Sequence, residues 1–196
     1  MWKELLMYVR QLALDCGISD GIDITCDDLR KPGGVFRAVW LFNKTALRTP
    51  IPVSSTTYIT NIDFATYRSL YKFESNKNTH EASWQEQIGE GGNVSYLQTV
   101  ILRVPNNNPT ADYIIQQLSV AEVVAIVLTN AGEYLIYGAE NGLSASADTT
   151  GGTGRQFVDN TFSQINLVGT ERYLPKRLLI GGSASITQLF LDSSTV

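Results

Sequence analysis

Val123-Val124-Ala125-Ile126-Val127-Leu128-Thr129-Asn130-Ala131-Gly132-Glu133-Tyr134-Leu135-Ile136-Tyr137 is the stretch on which the fold class turns. Its first six residues are apolar without a break. A run that short, rich in β-branched side chains and closed by a turn signal, reads as a strand buried on both faces. Asn130-Ala131-Gly132 then turns the chain into a second apolar arm, Tyr134-Leu135-Ile136-Tyr137.

Upstream, Thr110 is a good N-cap, and Ile114, Ile115 and Leu118 form a helical stripe behind it. Asn106-Asn107-Asn108-Pro109 separates that helix from the longest strand candidate, residues 94–104, with Val94, Tyr96, Val100, Leu102 and Val104 on one face. Residues 67–75 alternate too, Tyr67, Ser69, Tyr71 and Phe73 against Arg68, Lys72 and Glu74. These two strands and the polar stretch between them predict a long hairpin over 67–104 with a wide tip. A strand of about nine residues spans roughly 30 Å, so such a ribbon reaches beyond its own core.

Further upstream, Phe36, Ala38, Trp40 and Phe42 share a strand face. Pro50 and Pro52 mark residues 43–57 as a loop or arm, because proline has no backbone donor. Ile22, Ile24 and Cys26 alternate with Asp23 and Thr25. Residues 2–16 predict an amphipathic helix through Trp2, Leu5, Leu6, Val9, Leu12, Ala13 and Cys16, with Gly17 as its C-cap. Downstream, the Ser, Ala, Thr and Gly of 144–154 predict a mobile loop; strands follow over 161–168 and 178–180, and a short one over 186–191. The chain is therefore mainly β (α+β), with about eight strands. It is organised as an N-terminal helix or extension over 1–17 and one β domain over 18–196, with no internal repeat.

Charged residues make up only 17% of the chain, below the roughly 25% usual for globular domains. Low charge suits sheet surfaces and broad contact between subunits, and equally an ordinary β domain with polar loops. The net charge of −4, with no basic stripe, disfavours tight nucleic-acid binding, which needs Lys and Arg to displace counterions. Lys3, Glu4, Arg10 and Asp15 interrupt the apolar N-terminal segment, so no secretory leader is expected. No run reaches the roughly 18 apolar residues of a membrane-spanning helix. Cys16 and Cys26 lack metal-site spacing and read as free thiols, with a disulfide as the alternative.

Catalytic motifs are not found. The single histidine, His80, lies in a polar stretch and reads as a solvated tip residue. Gly151-Gly152-Thr153-Gly154-Arg155 lacks the lysine and the strand-to-helix position of a phosphate loop. Asp23, Asp27 and Asp28 lack calcium-loop spacing, and Glu86 and Glu90 around Gly89 read as exposed charges. Trp40, Tyr67, Tyr71, Trp84 and Tyr96 are expected in core or interface, although exposed aromatics also stack sugars. No catalytic residue, cofactor or metal is expected.

The segment 125–143, continuing past Tyr137 as Gly138-Ala139-Glu140-Asn141-Gly142-Leu143, resembles tail proteins of phages and prophages of Bacteroidetes-type hosts. Val158-Asp159-Asn160, Leu167-Val168-Gly169-Thr170-Glu171, Cys16-Gly17 and Gly33-Gly34 leading into Val39-Trp40-Leu41 carry the same resemblance, loosely over 16–175. The resemblance implies a tail-tube-like fold: two packed antiparallel sheets, a flanking helix, and a long hairpin that joins others in a hexameric ring around a DNA channel. It implies as partners the chain itself, adjacent tail or neck proteins, and genomic DNA passing without specific binding. It places the protein in the virion tail, assembled in the bacterial cytoplasm without membrane insertion. On this reading Lys72, Glu74 and Gln98 are the hairpin positions of interest. The helix over 2–16 departs from the simplest members, which keeps a neck, connector or tail-ring role in a short-tailed phage as an alternative. A monomeric carbohydrate-binding β module using Trp84 and Tyr96 is the other.

Overall fold

A computed structural model describes residues 32–52, 58–60, 62–64, 70–76, 79–105, 109–152 and 162–179. The expectations for the helix over 2–16, Cys16, Cys26, the aspartates near residue 25, Tyr67, residues 153–160 and the strand over 186–191 lie outside these residues. The chain divides into two units, Met1–Lys31 and Pro32–Val196, and the architecture below is that of the second.

Its elements run β1 (Val35–Asn43), β2 (Tyr58–Ile59), β3 (Tyr71–Glu74), β4 (Glu81–Ile88), β5 (Val94–Pro105), helix α1 (Pro109–Leu118), β6 (Val123–Thr129), β7 (Tyr134–Tyr137), β8 (Ser144–Ala145), β9 (Thr150–Gly152), β10 (Phe162–Glu171) and β11 (Lys176–Leu178). They form two sheets. One has the order β2-β11-β7-β6-β1-β3; the other has the order β4-β5-β10-β8, with β9 also on β10. The mainly β class, the two packed sheets and the flanking helix agree with the sequence reading. One pair departs from the antiparallel rule, since β11 and β2 run parallel.

The apolar run that decided the class lies at the centre of the first sheet, as β6 between β1 and β7. Alternate residues serve two cores. Val123, Ala125 and Val127, with Val39, Leu41 and Tyr137, face Val100, Leu102, Ile165 and Leu167 of the second sheet. Val124 and Ile126, with Trp40, Phe42 and Ile136, face the opposite way, where Ile51, Ile62 and Phe64 cover them. Phe42 and Phe64 meet edge to face at 5.2 Å. Ile51 of the proline-marked segment and Ile62 and Phe64 beyond it thus cover the second core, which explains why β6 has no polar face. Phe36 does not share the burial of Trp40 and Phe42: a register shift between Val35 and Val39 leaves it partly exposed.

Two expectations are corrected. The hairpin is not 67–104. β3 pairs with β1 at the edge of the first sheet, and the partner of β5 is β4. β4 carries no strand signal in the sequence, because Glu-Ala-Ser-Trp-Gln-Glu-Gln-Ile is exposed along nearly all its length and so has no apolar alternation. The segment 144–152 is also not simply loose: β8 and β9 both pair with β10.

Candidate functional site

The feature left unexplained by the cores is the β4–β5 ribbon. Its turn is Gly89-Glu90-Gly91-Gly92-Asn93, closed by the Gly89 N–H donating to the Asn93 carbonyl at 2.9 Å. Gly92 has φ +76°, a left-handed conformation that side chains disfavour. Pairing runs in register from Glu81↔Ile101 to Ile88↔Val94. On its other side β5 pairs with β10 only as far as Tyr96↔Glu171. Beyond that pair β4 and β5 have only each other.

Even-numbered residues of both strands share one face. Near the base, Ala82, Val100 and Leu102 pack into the inter-sheet core. Toward the tip, the same face emerges: Trp84 is 50% exposed, Ile88 70% and Val94 44%. Tyr96 is half-buried, and its ring meets that of Trp84 at 6.0 Å and 79°. Between residues 81 and 102 the charges are Glu81, Glu86 and Glu90, with no Lys or Arg. β4 is moreover an edge strand of eight residues, with one backbone side unpaired within the sheet.

A buried polar clamp holds the ribbon's root. Gln98 accepts from the Gly138 N–H at 2.9 Å through Oε1, and its Nε2 donates to the Tyr173 carbonyl at 2.9 Å. The Glu171 carboxylate accepts from the backbone N–H groups of Glu140, Asn141 and Gly142 at 3.0, 2.8 and 3.2 Å. Burial pushes Glu171 above the ordinary carboxylate range; these three donors pull the other way, and the Glu140 carboxylate adds to the rise. Gly169 lies so close to this turn that a Cβ there would stand 2.2 Å from the Gly142 carbonyl oxygen. The Gly138–Leu143 and Gly169–Glu171 motifs are therefore two halves of one clamp. The sequence signal was the paired glycines with an acidic residue, but nothing in it joins segments that far apart.

At the opposite end of β5, an open cavity of about 850 Å³ lies between α1, β3 and the end of β5, lined by Leu70, Tyr71, Ile114, Leu118 and Val120 among others. His80 borders it and is corrected from a solvated tip residue: it is 4% exposed. Its Nδ1 accepts the Arg103 backbone N–H at 3.2 Å, which puts the neutral ring's proton on Nε2. That atom is buried without a well-formed hydrogen bond. Burial holds His80 below the usual histidine range, with the Phe73 backbone carbonyl acting in the opposite sense. Burial without a charged partner makes His80 a structural pin between β3 and β5.

The other sequence-selected residues fall in different places. Lys72 and Glu74 lie on β3, not the hairpin, and pair with each other at 2.7 Å on the surface. Gln98 is in the ribbon but inside the clamp. Trp40 is core, Tyr71 is exposed at the β3 edge, and Glu86 and Glu90 are exposed. Among the described residues, no group of three or more His, Cys, Asp or Glu is placed to hold a metal, and no helix is long and apolar enough to cross a membrane. No protein-family model, no curated protein and no solved structure matches the chain.

Proposed function

We propose that the chain is a non-enzymatic structural subunit of a bacteriophage tail tube, which assembles with itself into stacked hexameric rings around a DNA-conducting channel. The observation that carries this reading is the β4–β5 ribbon, whose tip presents Trp84, Ile88 and Val94 to solvent beside a free strand edge. Natural monomers blunt long edges and cover apolar strips of this kind; a ring does both at once. The resemblance of the Ala125–Leu143 and Leu167–Glu171 segments to phage tail proteins supports the same reading.

The mechanism is passive. Three glutamates and no basic residue over 81–102 give a wall of such ribbons an acidic character. An acidic wall repels phosphates, so DNA passes without the counterion release that drives binding. The partners are other copies, adjacent tail or neck proteins, and the DNA in transit; the place is the virion tail, built in the host cytoplasm. A neck, connector or tail-ring subunit of a short-tailed phage would use the same ribbon. A carbohydrate-binding module is less well supported, because the Trp84 and Tyr96 rings stand at 79° and offer no shared flat platform for a sugar.

Negative-stain electron microscopy of the purified protein, concentrated at moderate salt, tests the reading. Rings or tubes with a central channel are expected. A monomer at every concentration that is specifically retained on a glycan column overturns it in favour of the binding module.

A further inference from the structure

We propose that the apolar face of the ribbon docks head to tail into the groove between α1 and β3 of a second copy. The inference rests on the self-assembly reading and deepens it by naming the two surfaces that meet. Both belong to one chain, and among the described residues nothing covers either. The ribbon presents Trp84, Ile88 and Val94; the groove presents Tyr71, Ile114 and Val120, the last 89% exposed.

Their positions exclude self-satisfaction. Val94 begins β5 at the ribbon tip, and Val104 lines the groove at the strand's other end. Ten residues of strand separate them by roughly 33 Å. A chain with complementary patches at opposite ends of one strand associates heterologously, and such contacts propagate as closed rings or open stacks rather than as two-fold dimers.

Shape and charge favour a second copy as the occupant. A cavity of about 850 Å³ accommodates several large side chains, and aromatic anchors are the residues that dominate interface energy. Toward its tip the ribbon carries only Glu86, on the docking face between Trp84 and Ile88, and Glu90 as charges, whereas the groove is lined by Arg103 and by Lys72, which is paired with Glu74. The incoming surface is acidic and the receiving one carries an excess of one positive charge, so the long-range field favours approach in this orientation.

A charge-swap series on the full chain tests the pairing. Ile88→Lys places a cation on the ribbon, and Val120→Glu places an anion at the groove; both sites are exposed, so far-UV circular dichroism is expected to be unchanged. Assembly is followed by sedimentation velocity over a concentration series. Each single variant is expected to raise the concentration for half-assembly about tenfold or more, and the Ile88→Lys/Val120→Glu double variant to return it to within about threefold of the parent. Wild-type protein that assembles while both single variants assemble equally well overturns this docking and leaves the self-assembly reading standing. Loss in the single variants without recovery in the double overturns the pairing of these two surfaces. A wild-type chain that stays monomeric at every concentration overturns the self-assembly reading and this inference together.

Discussion

Replacing Glu171 by alanine removes the acceptor for three backbone N–H groups, those of Glu140, Asn141 and Gly142. Hydrogen bonds to a charged acceptor contribute about 1.5–3 kcal/mol each, a gross loss of roughly 5–9 kcal/mol. Against this, the carboxylate is buried and its ionised form is disfavoured there, so returning it to water recovers several kcal/mol. The net expectation is a destabilisation of about 2–4 kcal/mol. Glu171→Gln keeps one carbonyl oxygen for Asn141 and Gly142 and turns an amide toward the Glu140 N–H, so its cost is about 1–2 kcal/mol. Urea unfolding should show both midpoints lowered in that order with an unchanged slope. The acid limb gives a second readout. Because the folded carboxyl titrates above its unfolded value near 4.5, the native state binds more protons in the window just above that value, and this site's contribution rises as pH falls through it. Glu171→Gln abolishes that rise. An alanine variant within about 0.5 kcal/mol of the parent would refute the clamp, since surface changes already fall in that range.

Other outcomes follow from neighbouring features. Gly169→Ala, whose Cβ meets the Gly142 carbonyl oxygen at 2.2 Å, should cost about 2 kcal/mol or more in chemical denaturation and melt the 138–143 turn in hydrogen exchange before the sheets. His80 is held below its ordinary 6.5, so the unfolded chain binds more protons below that value and this site's contribution falls as pH drops; a His80→Gln variant should lose that slope in pH-dependent thermal melts. Replacing residues 87–95 by Asn-Gly, a two-residue turn joining the paired Glu86 and Tyr96, should leave a folded monomer melting within a few degrees of the parent while abolishing assembly in sedimentation. A melt lowered by more than about 10 °C would show that the ribbon tip supports the core.

The sheet centre was legible because burial imposes its own pattern. An uninterrupted apolar run at β6, an Asn-Ala-Gly turn and the Ile114, Ile115, Leu118 stripe each reflect a local rule, and the structure has β6, β7 and α1 where those rules put them. The ribbon was misplaced for the converse reason. β4 contributes only Ala82 to the inter-sheet core, so no alternation marks it, and Tyr71–Glu74 supplied a better-patterned but wrong partner for β5. The Gly89–Asn93 turn was the available signal. His80 was misread because a polar neighbourhood in sequence does not report what the next strand covers. The clamp joins Gln98, Gly138–Gly142 and Glu171 across three segments, and single-chain periodicity has no access to such pairs.

The placement of that clamp has a mechanical consequence. Gln98 and Glu171 hold the ribbon just where β10 ceases to accompany it, leaving the pairs Gln87↔Ser95 and Ile88↔Val94, about 7 Å of two-stranded beam, and the Gly89–Asn93 turn projecting from a fixed end. For a cantilever, any angular slack at the support is multiplied by the projecting length at the tip. Loosening the 138–142 turn would therefore displace the Gly89–Asn93 tip by more than it displaces the root, while altering none of the side chains the tip presents. The Glu171 turn sets the aim of the ribbon, and variants there should misdirect a neighbouring copy before they unfold the subunit.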